Sequence, residues 1–271
     1  MVVATAPCVN VLVITEDSGE QAQPVLKAVL RAAILLVDPD CDTSRVAFEP
    51  PGNQAKLAAR ANAWKARPHG GGRGTAGAHR DQAVMLSRSI AEWLLRGSRH
   101  VVCQHFDADQ TWSRRAQADT PNAHTRNIAE PVAAILADPA SVARDPKAAR
   151  AALQGDDLER ARGRLIEIVP HYSIESWLYQ NLSVARNICA EIGQPPDLVA
   201  QLEAWTANRG QLDEIDGLKD TTPLGDRHNR RLATSAWPAA EVVAIGKSFA
   251  MAVQRMGAST DLRTALAETR A

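Results

Sequence analysis

The run Val101-Val102-Cys103-Gln104-His105-Phe106-Asp107-Ala108-Asp109 constrains the fold more than any other stretch of the chain. Its apolar opening reads as a buried strand, and it ends in two carboxylates one residue apart. A buried strand that carries polar groups at its carboxyl end belongs to an open α/β sheet, in which ligands bind along that edge. If the strand persists to Asp109, the side-chain period of two points both aspartates the same way. Two hard oxygens on one side suit Mg²⁺ or Mn²⁺.

Other segments repeat the theme. Val11-Leu12-Val13-Ile14 is a second buried-strand run, and it stops at the polar Thr15-Glu16-Asp17-Ser18-Gly19-Glu20. Behind Pro24, Leu26, Leu30, Ile34 and Val37 recur at helical spacing, and Arg45 to Phe48 is a short further strand. Asp81 to Arg96 carries Leu86, Ile90, Trp93 and Leu94 on one helical face and leads into the central strand. Strand, helix, strand, helix, strand predicts an α/β fold: an open, mostly parallel sheet with helices on both faces and Rossmann-type winding.

Between these elements, Pro50-Pro51-Gly52 and His69-Gly70-Gly71-Gly72-Arg73-Gly74 bracket a stretch read as a flexible Gly/Arg-rich insertion around residues 50–77, within which Ala55 to Ala66 could be helical. Downstream, helices are expected over Asn127 to Leu136 and Ala148 to Arg164, then a strand at Leu165 to Val169. Ser173 is placed to cap a helix whose first turn holds Glu175. Pro195–Trp205 and Ala239–Met256 read as helices, with Gly210–Thr234 charged and loop-like between them. The expected organisation is an α/β domain over 1–182 and a helical C-terminal extension over 183–271 packed on it.

Lys and Arg number 31 and so do Asp and Glu, so no global field announces a nucleic-acid or membrane partner and charge arguments must be local. One region is uneven: from Lys56 through Arg99 nine basic residues face two acids, an excess of +7. Arg67, Arg73 and Arg80 in that region could hold a nucleic-acid backbone through phosphate contacts. The glycine loop lacks the P-loop lysine pattern, which excludes a nucleotide-triphosphatase reading. Cys8, Cys41, Cys103 and Cys189 offer neither a zinc knuckle nor a disulfide framework. No apolar run is long enough to span a bilayer. A cytoplasmic protein with no membrane association is expected.

Acids thus follow three predicted strands: Glu16 with Glu20, Asp107 with Asp109, and Glu175. In a parallel sheet the carboxyl ends share one edge, and convergence of so many carboxylates is costly unless a cation joins them. An apolar strand ending in Glu16, with Gly19 and Glu20 close behind, followed later by a strand ending in Asp107-x-Asp109, resembles the Toprim fold of topoisomerases, primases and overcoming-lysogenization-defect nucleases. Ile174-Glu175-Ser176-Trp177-Leu178 is similar to a Glu-x-Trp element of small stand-alone bacterial Toprim-like proteins.

The resemblance covers residues 9 to 182 and implies Mg²⁺- or Mn²⁺-dependent phosphodiester chemistry. It implies Asp107 and Asp109 as principal metal ligands, Glu16 as ligand or general acid/base, and Glu20 and Glu175 as ligands of a second metal. Tyr172 and Tyr179 are the only tyrosines and neither is placed for a covalent intermediate, so hydrolysis is the expected reaction. A nuclease acting in a bacterial defence system against phage, or as a toxin-like effector, is one expectation. The other is a non-catalytic module that binds a metal or works with a separate ATPase. The sequence leaves the oligomeric state open.

Overall fold

A computed structural model describes residues 8–17, 19–60, 63–65, 73–143, 150–193, 196–218, 224–234 and 236–270. Four strands form one sheet: β1 (Val9–Thr15), β2 (Val46–Glu49), β3 (His100–His105) and β4 (Leu165–Ile168). They are all parallel and lie in the order β2-β1-β3-β4. This is the expected α/β class.

The order decides where a ligand can sit. From β1 the chain passes through α1 (Ala22–Val37) to β2 on one side, then through α2 (Asn53–Arg60) and α3 (Arg73–Leu94) to β3 on the other. Right-handed crossovers in opposite directions put α1 and α3 on opposite faces. A crevice therefore opens between the carboxyl ends of β1 and β3, the switch point of the topology.

Alternation along the strands feeds both faces. Val9, Val11 and Val13 of β1 and Val101 and Cys103 of β3 pack with α1, whereas Leu12, Ile14 and Val102 pack with Leu86, Ile90 and Leu94 of α3. With both faces covered, near-continuous apolar strands are what the architecture demands.

The segment read as a flexible insertion is partly core. Ala55, Ala58 and Ala59 of α2 are buried, as is Trp64, whose ring meets Phe106 edge-on at 5.0 Å. α3 starts at Arg73, eight residues before the predicted helix, and takes in Gly74 and Gly77. Of the insertion, residues 61–62 and 66–72 lie outside the described part, and Arg67 with them.

Between β3 and β4 run α4 (Asp119–His124), a π-helical turn over Thr125–Ala129, α5 (Glu130–Ala137) and α6 (Gly155–Arg162). The helix expected from Ala148 begins only at Gly155, whose φ of +52 turns the chain into it. After β4 comes α7 (Glu175–Leu178), which Ser173 does not cap: its hydroxyl is buried with no hydrogen-bond partner among the described residues.

The remainder is helical: α8 (Leu182–Glu191), α9 (Pro196–Ala207), α10 (Asp226–Thr234), α11 (Ala239–Ala244), α12 (Ser248–Ala258) and α13 (Thr260–Ala267). α10 falls where a loop was expected. The helix predicted over Ala239–Met256 is two, parted at Gly246, whose φ of +72 ends α11. Leu232, Phe249, Ala252, Met256 and Leu262 join the same core as α1 and β1. The C-terminal part is therefore built into the sheet's packing. Among the described residues no helix is long and apolar enough to cross a membrane.

With α2 and Trp64 in the core, Trp64→Ala should destabilise the chain by about 3–5 kcal/mol in urea unfolding. Leu57→Ala, at a side chain 66% exposed on α2, should change stability by less than about 0.5 kcal/mol.

Candidate active site

β1 and β3 end in register, Thr15 opposite His105, so the residues that follow them meet across the switch point. The Glu16 carboxylate continues the ladder, Oε1 accepting the Asp107 backbone N–H at 2.9 Å. Three acids stand around the Asp107 carboxyl: Glu16, Asp17 and Glu175 all act on it electrostatically. Convergence of the three acidic motifs at one edge is thus a feature of the structure.

The expected side-by-side placement of Asp107 and Asp109 is not. The strand stops at His105, and Asp109 has a left-handed backbone with φ of +55, which turns its side chain another way. The Asp109 side chain is 61% exposed, and its Oδ2 accepts from Thr120 Oγ1 at 3.3 Å. Asp107 is buried and lines a cavity of about 210 Å³ together with Thr15, Asp17, His105, Glu175 and Asn229.

A lysine stands between the acids. Lys65 Nζ lies 2.8 Å from Glu16 Oε2 and 3.0 Å from Asp109 Oδ2, and makes a longer 3.5 Å approach to the Asp107 carbonyl. Burial works against its ammonium, but Glu16 and Asp109 outweigh burial and raise its pKa. Lys65 belongs to a single 3₁₀ turn beside the buried Trp64, whose carbonyl accepts from Asn127. The core therefore fixes where the ammonium stands.

On the cavity side charge is less well met. Burial first, then Glu16, Asp17 and Glu175, push the Asp107 carboxyl well above the usual aspartate range, with Lys65 pulling weakly the other way. Asp107 Oδ1 has no hydrogen-bond partner among the described residues, and neither has His105 Nε2, which faces it at 3.5 Å. Burial depresses the His105 pKa to about 4, so the ring is neutral at pH 7. Its Nδ1 meets Thr15 Oγ1 at 3.0 Å. The Asp17 N–H donates to the same hydroxyl, and Asp17 Oδ2 lies 3.8 Å from Nδ1.

Glu175 is 6% exposed, and its Oε1 accepts from Asn229 Nδ2 of α10 at 2.9 Å. An amide satisfies one oxygen but brings no charge.

Of the sequence-derived site residues, Glu16, Asp107, Asp109 and Glu175 gather at the switch point, and Glu20 does not. It is exposed and does not line the cavity. Arg80 is exposed on α3, the Arg73 side chain is outside the described part, and Arg67 is outside it altogether. Lys65 and Asn229 were missed as site residues. Lys65 counted only toward a basic excess, and Asn229 fell in the predicted loop.

The edge offers hard carboxyl oxygens, two of them, Glu16 Oε2 and Asp107 Oδ1, buried without a hydrogen-bond partner among the described residues, beside a neutral histidine. Its arrangement is open, since among the described residues no three His, Cys, Asp or Glu side chains form a group that could hold a metal ion. That excludes a closed zinc-type cage at these positions.

Compared with protein-family models, curated proteins and solved structures, the chain matches none.

Asp107→Asn tests the repulsion. Between the ordinary aspartate value of 3.8 and its raised folded value, native Asp107 keeps a proton that the unfolded chain loses, so its contribution to stability falls as pH rises. The depressed His105 works the other way, losing stability as pH falls from 6.5 to about 4. Metal-free Asp107→Asn should therefore melt above wild type at pH 7, by roughly 2–4 °C for each 1 kcal/mol of relieved repulsion. The difference should vanish below pH 3.8. Melting curves across that range check it.

Proposed function

We propose that the chain hydrolyses phosphodiester bonds of nucleic acid with Mg²⁺ or Mn²⁺. The observation that carries the reading is the buried, unpaired Asp107 oxygen facing a cavity at the switch point, with Glu16, Asp17 and Glu175 about it. A site that concentrates acid charge away from water is stabilised by a cation. Asp107 and Glu175 would hold it, since both line the cavity and both are buried. Bound there, a divalent cation supplies Lewis-acid neutralisation of the charge that develops on the phosphate, and lowers the pKa of a coordinated water.

The chain's own residues supply the rest. Glu16 holds the Asp107 backbone in place, and His105 Nε2, without a hydrogen-bond partner among the described residues, faces Asp107 Oδ1 at 3.5 Å beside the cavity. His105, neutral at pH 7, adds no positive charge that would compete with the cation. Arg67, Arg73 and Arg80 would engage the backbone of the nucleic acid. The motif pattern of Glu16, Asp107-x-Asp109 and Glu175-x-Trp177 supports a Toprim-like relationship, and with it a role as a defence effector. The four cysteines are free and buried, which accords with a reducing cytoplasm.

A second reading is a non-catalytic module binding a metal or a separate ATPase. It is favoured by the pairing of Lys65 with Glu16 and Asp109, which already satisfies two of the acids assigned to catalysis.

The test is cleavage of single- and double-stranded DNA and RNA with Mg²⁺, Mn²⁺ or a chelator. Metal-dependent cleavage that Asp107→Asn lowers by about 100-fold or more supports hydrolysis, by analogy with removal of other electrostatic stabilisers. Metal binding with no cleavage of any substrate supports the module. Glu175→Gln should raise the Mg²⁺ needed for half-maximal activity, with partial rescue by Mn²⁺. Replacing Arg67, Arg73 and Arg80 together by Gln should flatten log K against log salt by about 0.7–0.9 for each phosphate that is no longer neutralised. An unchanged slope would remove these arginines from the interface.

A further inference from the structure

The acids at the switch point are not one cluster but two. On one side Glu16 and Asp109 share the ammonium of Lys65. On the other Asp17, Asp107 and Glu175 border the cavity, where His105 faces Asp107 and the Asn229 amide bonds Glu175. We propose that Lys65 is a built-in cation standing in the place of a second metal ion, so that the site holds one exchangeable divalent cation, on the Asp107/Glu175 side. The inference rests on the metal reading above and deepens it.

Three observations support the assignment. The ammonium is ion-paired with both acids, 2.8 Å from Glu16 Oε2 and donating to Asp109 Oδ2 at 3.0 Å, with the Asp107 carbonyl at 3.5 Å, so hard oxygens lie on three sides of it. The position is imposed by the core: Trp64, next in the chain, is 2% exposed and wedged against Phe106 and His124. Lys65 itself is only 18% exposed, so it cannot swing freely into solvent as a surface lysine would.

Electrostatics set the consequence. Paired metal ions in two-metal sites lie about 3.5–4 Å apart and need carboxylates that bridge or flank both. Here a dication entering between Glu16 and Asp109 would have to displace the ammonium from both, breaking two ion pairs. The cavity side has no such incumbent. It keeps an unpaired Asp107 oxygen and an unpaired His105 nitrogen, and it has the room. Lys65 would also contribute what a second metal does, a fixed positive charge at the acidic edge, with no requirement for free metal.

Counting bound Mn²⁺ on the 271-residue chain tests this, by titration calorimetry and by the decrease of the free-ion electron paramagnetic resonance signal. Wild type should bind one Mn²⁺. Lys65→Met keeps the length of the side chain but frees Glu16 and Asp109, and should bind two, the second disappearing again in Lys65→Met/Glu16→Gln. Lys65→Arg retains the charge and should stay at one, and circular dichroism checks that each variant is folded. Two ions on wild type, or one on Lys65→Met, would overturn the inference.

Failure of the nuclease reading looks different. A chain that takes up one Mn²⁺ in wild type and two in Lys65→Met yet cleaves nothing leaves the assignment of Lys65 intact and removes hydrolysis. Cleavage by a wild type that holds two ions does the reverse. No uptake by either chain overturns the inference and the metal site together.

Discussion

The Asp107 carboxyl, buried beside three other acids, is the interaction on which the rest of the arrangement depends. Like charges crowded away from water raise one another's proton affinity, and a fold tolerates them only by supplying compensation nearby. Here the compensation is divided. A backbone N–H bond ties Glu16 to Asp107, an ammonium joins Glu16 to Asp109, and an amide steadies Glu175. Each partner comes from a different part of the chain, so the site is a point where three layers of the fold must agree.

That division explains how much of the site the sequence revealed. Glu16, Asp107 and Glu175 announced themselves because each follows an apolar strand, and the parallel order β2-β1-β3-β4 brings such exits to one edge. Asp109 was recognised, but its direction was not, because extrapolating the strand past His105 ignored a left-handed residue that no periodicity reveals. Lys65 carries no pattern of its own. Its meeting with Glu16 depends on Trp64 being driven into the core, which is a tertiary event.

The same division holds for the fold. β1, β3 and α1 were clear because their apolar periods are strong. α3 was truncated in the reading because Gly74 and Gly77, each worth about 1 kcal/mol against a helix, masked its first turns. α10 is almost wholly polar and presents only Asn229, Leu232 and Ala233 inward among its described side chains, a three-residue face that resembles a charged loop.

Successive residues of α7 are each gripped by the C-terminal helical part: Glu175 by Asn229, Ser176 by Asp213 at 2.8 Å, and Trp177 by Ser248 at 2.7 Å. Asp213 also accepts from the Ser248 backbone and hydroxyl, which closes the ring. A boundary drawn at residue 182 therefore divides the sequence and not the packing. It also sets a schedule. Glu175 leaves the ribosome 54 residues ahead of the asparagine that orients it. A nascent chain can thus pair its four strands while the third acid still lacks its holder, and the acidic edge is completed only when α10 has emerged.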